Sequence, residues 1–263
     1  MPAMNLIDTH CHLAGGRLRQ EVSAVLDRAA AAGVGTVICA SAAVNEAQAA
    51  AGLARAHPDV FFTAGTQAVK DIDPEGPYVA VLESLASQAP NVAIGECGLD
   101  YYHGHCPPEV QQRVFARQLE LARRLDKPVV VHTREAFEDT LGVLVASGIS
   151  AKRVVIHCCT EGPDNVRRLL DFGATISFSG IVTFKNAGAL RRAAELVPGE
   201  SLLIETDAPY LSPEPVRKMK INEPANVAHV AACLARLRGV SADALAEQTT
   251  ANAIRFFGLD DRG

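Results

Sequence analysis

Short apolar runs and longer Ala-, Leu- and Arg-rich stretches alternate eight times along this chain, and that rhythm limits the fold more than any other feature. The runs fall at 6–13, 36–39, 60–64, 92–96, 129–132, 154–157, 174–178 and 202–205. Helical patterning follows at 21–32, 46–56, 78–87, 109–125, 137–146, 165–171 and 189–196, and two closing helices are predicted over 226–238 and 242–256. Strands this uniformly apolar need cover on both faces, which is the condition of a parallel sheet wrapped by helices. Eight such units in 263 residues predict one α/β domain over residues 1–263, a closed (β/α)8 TIM barrel. A doubly wound open sheet is the alternative. Gly33-Val34-Gly35 follows a helix and precedes a strand, the reverse of the order in which a glycine loop cradles phosphate, so it reads as a helix stop. The proline-rich 209–224 stretch reads as a long loop over the barrel mouth.

In such a barrel, function collects at the C-terminal ends of the strands. There the sequence sets His10 and His12, Glu96, His132, His157 and Asp207. His10 and His12 are two residues apart on a strand and so point the same way. A single histidine at a strand end is more often a packed or capping residue than a ligand. Four with two carboxylates in one layer form a ring suited to two divalent cations, with a carboxylate able to bridge them. Glu205 shares the parity of Asp207 and reads as a carboxylate supporting the ring, and Asp100 as one that orients a ligand or the following loop. Arg134, Lys185 and Arg217 are the candidates to meet substrate phosphate. Arg113, Arg117, Arg123 and Arg124 lie on one helix and read as a solvated face. Cys11, Cys97 and Cys158 alternate away from the ligands and are expected to pack between strand and helix, while His103 and His105 are expected on a solvated loop.

A net charge of −5 and a pI near 5.9 argue against a protein that coats nucleic acid through general positive charge, so any polyanion must be held locally. Trp is absent, and with four Tyr and nine Phe a broad platform for stacking bases is not expected. Seven scattered cysteines without a secretory signal suit reduced thiols, so a cytoplasmic location is the expectation. No apolar run is long enough to cross a membrane, and nothing in the pattern calls for an obligate protein partner, so a monomer is expected.

The stretches Asp8-Thr9-His10-Cys11-His12, Ile94-Gly95-Glu96-Cys97-Gly98-Leu99-Asp100-Tyr101-Tyr102, Val131-His132-Thr133-Arg134, Ile156-His157-Cys158 and Glu205-Thr206-Asp207-Ala208-Pro209-Tyr210-Leu211 resemble, in order, the motifs of the TatD family of metal-dependent deoxyribonucleases. So do residues 178–186 and Asn222-Glu223-Pro224. The resemblance implies a barrel of the amidohydrolase superfamily that hydrolyses phosphodiester bonds, often as a 3′-to-5′ exonuclease on DNA. Carried over, it implies that His10, His12, Glu96 and Asp207 hold one metal and that Glu96 bridges to a second held by His132 and His157. Residues 217–221 depart from the family's shorter, glycine-containing turn, which bears on substrate contacts.

Chemistry accounts for such a ring without the family. A phosphodiester repels hydroxide, so its catalyst must neutralise the non-bridging oxygens, make a nucleophile near neutral pH and stabilise the leaving alkoxide. Metal-activated water, with Asp207 as general base and Glu96 as bridge, meets those needs. The expected substrate is single-stranded DNA, entered from its 3′ end. The rival is a metal-dependent deacylase or amidohydrolase acting on a nucleotide-linked or aminoacyl ester such as a misacylated tRNA, since the same ring attacks a carbonyl carbon. A non-catalytic metal protein is disfavoured because a closed structural site needs no surplus ligands. Imidazoles favour Zn, Mn, Co or Fe, whereas the family's nucleases are described as magnesium-dependent, so the cation stays open between Mg, Mn and Zn.

Overall fold

A computed structural model describes residues 5–16, 18–68 and 72–259. Eight parallel strands form one sheet in chain order: β1 Leu6–Cys11, β2 Val34–Cys39, β3 Val60–Ala64, β4 Asn91–Asp100, β5 Val129–Arg134, β6 Val154–Ile156, β7 Thr175–Phe178 and β8 Leu202–Ile204. The two ends of that order meet. Cys11 bridges to Ala208 just past β8, His12 N–H donates to Ala208 O at 2.7 Å, and Asp207 N–H donates to His10 O at 2.9 Å. This closure is what an open doubly wound sheet lacks, so the fold is the TIM barrel.

The helices wrap the outside: α1 Val22–Ala31, α2 Val44–Ala56, α3 Tyr78–Ala86, α4 Pro108–Arg124, α5 Phe137–Ser147, α6 Pro163–Phe172, α7 Gly188–Leu196, α8 Val227–Arg238 and α9 Ala242–Phe257. Their limits follow local chemistry. Prolines open α4 and α6, where a missing N–H costs nothing, and left-handed glycines end α5, α6, α8 and α9. Among the described residues no helix is long and apolar enough to cross a membrane.

The barrel interior is divided into a floor and a ring. Ile7, Ile38, Phe61, Val130, Val155 and Leu203, each from a different strand, pack with Phe257 of α9 into an inner apolar cluster. Two residues further along the same inward faces stand His132, His157 and Glu205, so alternation places polar groups directly above an apolar floor. In β1 the register slips between Asp8 and Cys11, which lets Ile7 and His10 both face inward.

β4 runs four residues beyond the expected end at Glu96. Its pairing with β5 slips between Ile94 and Cys97 and then resumes, with Gly98 opposite His132 and Asp100 opposite Arg134. Gly98 makes this possible: its φ is +142°, and a Cβ there would lie 2.0 Å from the carbonyl oxygen of His132. Glu96 and Asp100 are thereby delivered to the same side as His132.

Candidate metal centre

Glu96 divides the ring into two halves. Its Oε2 lies 3.3 Å from His10 Nε2 and 3.5 Å from His12 Nε2. Its Oε1 lies 3.2 Å from His132 Nδ1 and 3.3 Å from His157 Nε2. Asp207, whose φ of 56° bends the chain back just past β8, brings Oδ1 to 3.5 Å from His12 Nε2 and 3.8 Å from His10 Nε2. The six residues singled out in the sequence are thus brought together. His10, His12 and Glu96 form one compact set of ligand atoms, and Glu96, His132 and His157 another, each with its atoms within 4.8 Å of one another.

Other side chains fix how the ring faces. Glu205, 1% exposed, sits behind His157 with Oε1 3.2 Å from its Nδ1, and also accepts from the Cys158 N–H at 2.7 Å and from the Ser177 hydroxyl. Asp100 Oδ2 lies 3.2 Å from His132 Nε2. With those carboxylates accepting the one ring hydrogen of each neutral imidazole, the lone pairs of His132 Nδ1 and His157 Nε2 are left facing inward, 3.2 Å apart. Asp8 clasps the two chain segments of the first half: it accepts from the Thr206 hydroxyl, from Thr206 N–H at 2.9 Å and from His10 N–H at 3.3 Å. Burial pushes its carboxyl up to about 8 against the downward pull of those bonds. Gln67 donates to Glu96 Oε1.

Burial opposes charge on every member of the ring, and the outcome differs by partner. At Glu96 the neighbouring His157, His10 and His132 outweigh burial and hold the carboxyl well below the usual range, and at Asp207 the contacts with His12 and His10 do the same. Burial also works against charge on His12, His132 and His157, but it is overcome by Asp207 and Glu96, by Asp100 and Glu96, and by Glu96 and Glu205 respectively, so all three are raised. Only at His10 does burial, helped by His157, win and lower the pKa. In the chain alone the carboxylates favour the protonated forms of His12, His132 and His157, so a cation bound there would compete with protons. Borderline imidazole donors sharing a pocket with two ionised carboxylates are a donor set that fits divalent cations.

The ring opens into a cavity of about 760 Å³ at the C-terminal ends of the strands. Arg134 stands on its wall, whereas Lys185 and Arg217 are exposed outside it, Arg217 lying over the Phe184 ring. Cys11 and Cys97 are buried in the outer core as expected, but Cys158 lines the cavity. The reason is that β6 ends at Ile156 and Cys158 takes a φ of 43°, so strand alternation no longer governs it. His103 and His105 stand on the exposed loop after β4, as expected, and that loop borders the cavity; His103 Nδ1 is 2.7 Å from Asp100 Oδ2 and the two imidazoles lie parallel with centroids 5.4 Å apart. Sequence reasoning missed Gln67, Asp8 and Tyr210. Asp8 had a signal in its short distance from His10, Tyr210 in its place three residues after Asp207, and Gln67 none.

The family model described as TatD related DNase matches residues 7–258. The chain belongs to that family. A relative from Escherichia coli, the uncharacterized metal-dependent hydrolase YcfH, is 42% identical over 98% of this chain and 97% of its own length. The 3′-5′ ssDNA/RNA exonuclease TatD of Erwinia tasmaniensis is 36% identical over 97% of this chain and 100% of its own. The crystal structure of the TatD homolog YjjV from Escherichia coli superposes with a TM-score of 0.86 at 27% identity, covering 97% of this chain and 99% of that one. As a TatD-family member the chain is a metal-dependent hydrolase acting on ester bonds.

Proposed function

We propose that this TatD-family hydrolase removes nucleotides from the 3′ ends of single-stranded DNA, with two divalent cations per chain held on either side of Glu96. The division of the ring by the two oxygens of Glu96 carries the reading, because it gives each half its own pair of imidazoles and a shared carboxylate. His10, His12, Glu96 and Asp207 would hold one cation and Glu96, His132 and His157 the other. Cations held there would supply neutralisation of the non-bridging oxygens of a phosphodiester and a lowered pKa for the attacking water. Asp207 accepts that water's proton and returns it to the leaving 3′-oxygen. Glu205 and Asp100 keep His157 and His132 facing inward throughout. Arg134 has no ion pair among the described residues and lines the wall, so its guanidinium is left to take a substrate phosphate. The imidazole-rich donor set favours Mn or Zn over Mg.

The test compares metal-loaded enzyme on oligonucleotides labelled at the 5′ or 3′ end, on supercoiled plasmid and on aminoacyl esters, with Asp207→Asn as control. The amide keeps a ligand oxygen but cannot accept the proton. A ladder of shortened 5′-labelled products that the substitution slows by roughly 100-fold or more is the expected result. Nicked plasmid without end trimming would identify an endonuclease, and rapid ester cleavage with inert DNA would identify the deacylase.

A further inference from the structure

We propose that Tyr210, on the wall of the cavity after β8, and Tyr102, outside it on the loop after β4, are base-stacking platforms. Tyr210 takes the base of the terminal nucleotide and Tyr102 the base of the next one across the scissile phosphate. The assignment rests on the single-strand-end reading given above and names how that end is recognised.

Tyr210 is 61% exposed and Tyr102 57%, in a chain with four tyrosines and no tryptophan. Isolated exposed apolar residues are ordinary. Here the position of the two rings is informative. Tyr210 follows Asp207 by three residues on the loop after β8, lines the cavity, and holds its ring 6.1 Å from that of His12 at an angle of 69°. Its backbone is fixed on both sides: Tyr210 N–H donates to Asp207 O at 3.0 Å, and Asn222 Nδ2 donates to Tyr210 O at 2.7 Å. An exposed ring on an anchored backbone is already placed for a ligand, so little ordering cost remains at binding. Tyr102 follows β4, and in a closed sheet ordered from β1 to β8 the fourth and eighth strands face each other across the barrel. Its ring is held by Arg134, with the guanidinium carbon 3.8 Å from the centroid, and by an edge contact to His103 at 5.1 Å.

The chemistry beside the two tyrosines is that of a nucleotide backbone. The ring of imidazoles and carboxylates lies at the ends of the strands, Tyr210 follows β8, and Tyr102 follows β4 with Arg134 over one face of its ring. The cavity volume of about 760 Å³ suits one small-molecule-sized unit, not a length of strand, so the unit enclosed against Tyr210 is the terminal nucleotide. Tyr102 lies outside the cavity lining and meets the strand as it leaves. Both bases must leave their neighbours to stack on protein, which favours single strands over duplex ends and tolerates any base, because every base presents a π-face.

The experiment measures kcat and KM of metal-loaded wild type, Tyr210→Ala, Tyr210→Leu, Tyr210→Phe and Tyr102→Ala on a 5′-labelled single strand. The strand is intact, or carries an abasic sugar at the terminal or the penultimate position, and circular dichroism checks each fold. Losing the terminal base raises the wild-type KM by roughly 5- to 150-fold, the range of one base–aromatic stack. Tyr210→Ala and Tyr210→Leu raise it by a similar factor on the intact strand but add nothing on the terminally abasic one, while Tyr210→Phe retains the wild-type KM. Tyr102→Ala pairs in the same way with the penultimate base. Losses that multiply, or trimming indifferent to the tyrosines, overturn the proposal alone. If wild type leaves the intact strand untouched while cleaving an aminoacyl ester, the nucleic-acid reading falls and the proposal with it.

Discussion

At the residue scale the centre depends on which nitrogen of each imidazole faces inward, and that is set by carboxylates outside the ring. His157 is held by Glu205 and His132 by Asp100, so loss of either imidazole would remove a proposed ligand without removing floor packing. His157→Ala is therefore expected to lower bound metal while the barrel stays folded. Elemental analysis beside circular dichroism checks it, and a full metal complement in the variant would count against His157 as a ligand. A second expectation concerns protons. His12, His132 and His157 are raised by their carboxylate neighbours in the chain alone, so a cation must displace the protons they hold. Cation affinity then falls as pH is lowered, and the fall begins above the ordinary imidazole value of about 6.5. Calorimetric titrations in two buffers of different ionisation enthalpy should give different heats, reporting proton release; equal heats would contradict the assignment.

At the scale of elements, β4 joins the two halves of the site, and Gly98 allows it. Gly98→Ala places a Cβ against the His132 carbonyl at a φ that side chains rarely adopt, and a loss of roughly 3 kcal/mol or more is expected in chemical denaturation. A change within about 0.5 kcal/mol, the range of an ordinary surface substitution, would show that the close approach of β4 and β5 carries no weight. This strand also shows what the sequence could and could not reveal. The eight apolar runs and the helices between them were legible because both report burial directly, through periods of two and of 3.6 residues. The six ring residues were legible because each ends or follows such a run. The extension of β4 to Asp100 was hidden because its two glycines and its acid look like the end of a strand, although the close pairing with β5 requires the glycine. Cys158 was misplaced because alternation was carried two residues past the end of β6. Tyr102 and Tyr210 were passed over because counting aromatics says nothing of where they stand.

At the scale of the whole molecule, an acidic chain is expected to handle a polyanion, and the barrel reconciles the two by confining the cationic chemistry to one place. The floor of Ile, Val, Leu and Phe side chains separates the ring from the N-terminal ends of the strands, and the ring opens into the cavity at their C-terminal ends. A net charge of −5 for the chain would then be no obstacle, because cations held at the ring would outweigh the local carboxylates. The measurement that tests this account most directly follows trimming of a 5′-labelled single strand by metal-stripped enzyme as Mn²⁺ or Zn²⁺ is added back, with bound metal counted in the same samples. The account predicts no product in chelator and a ladder of shortened strands that returns as metal content rises toward two per chain. Undiminished trimming in excess chelator, at negligible metal content, would contradict it.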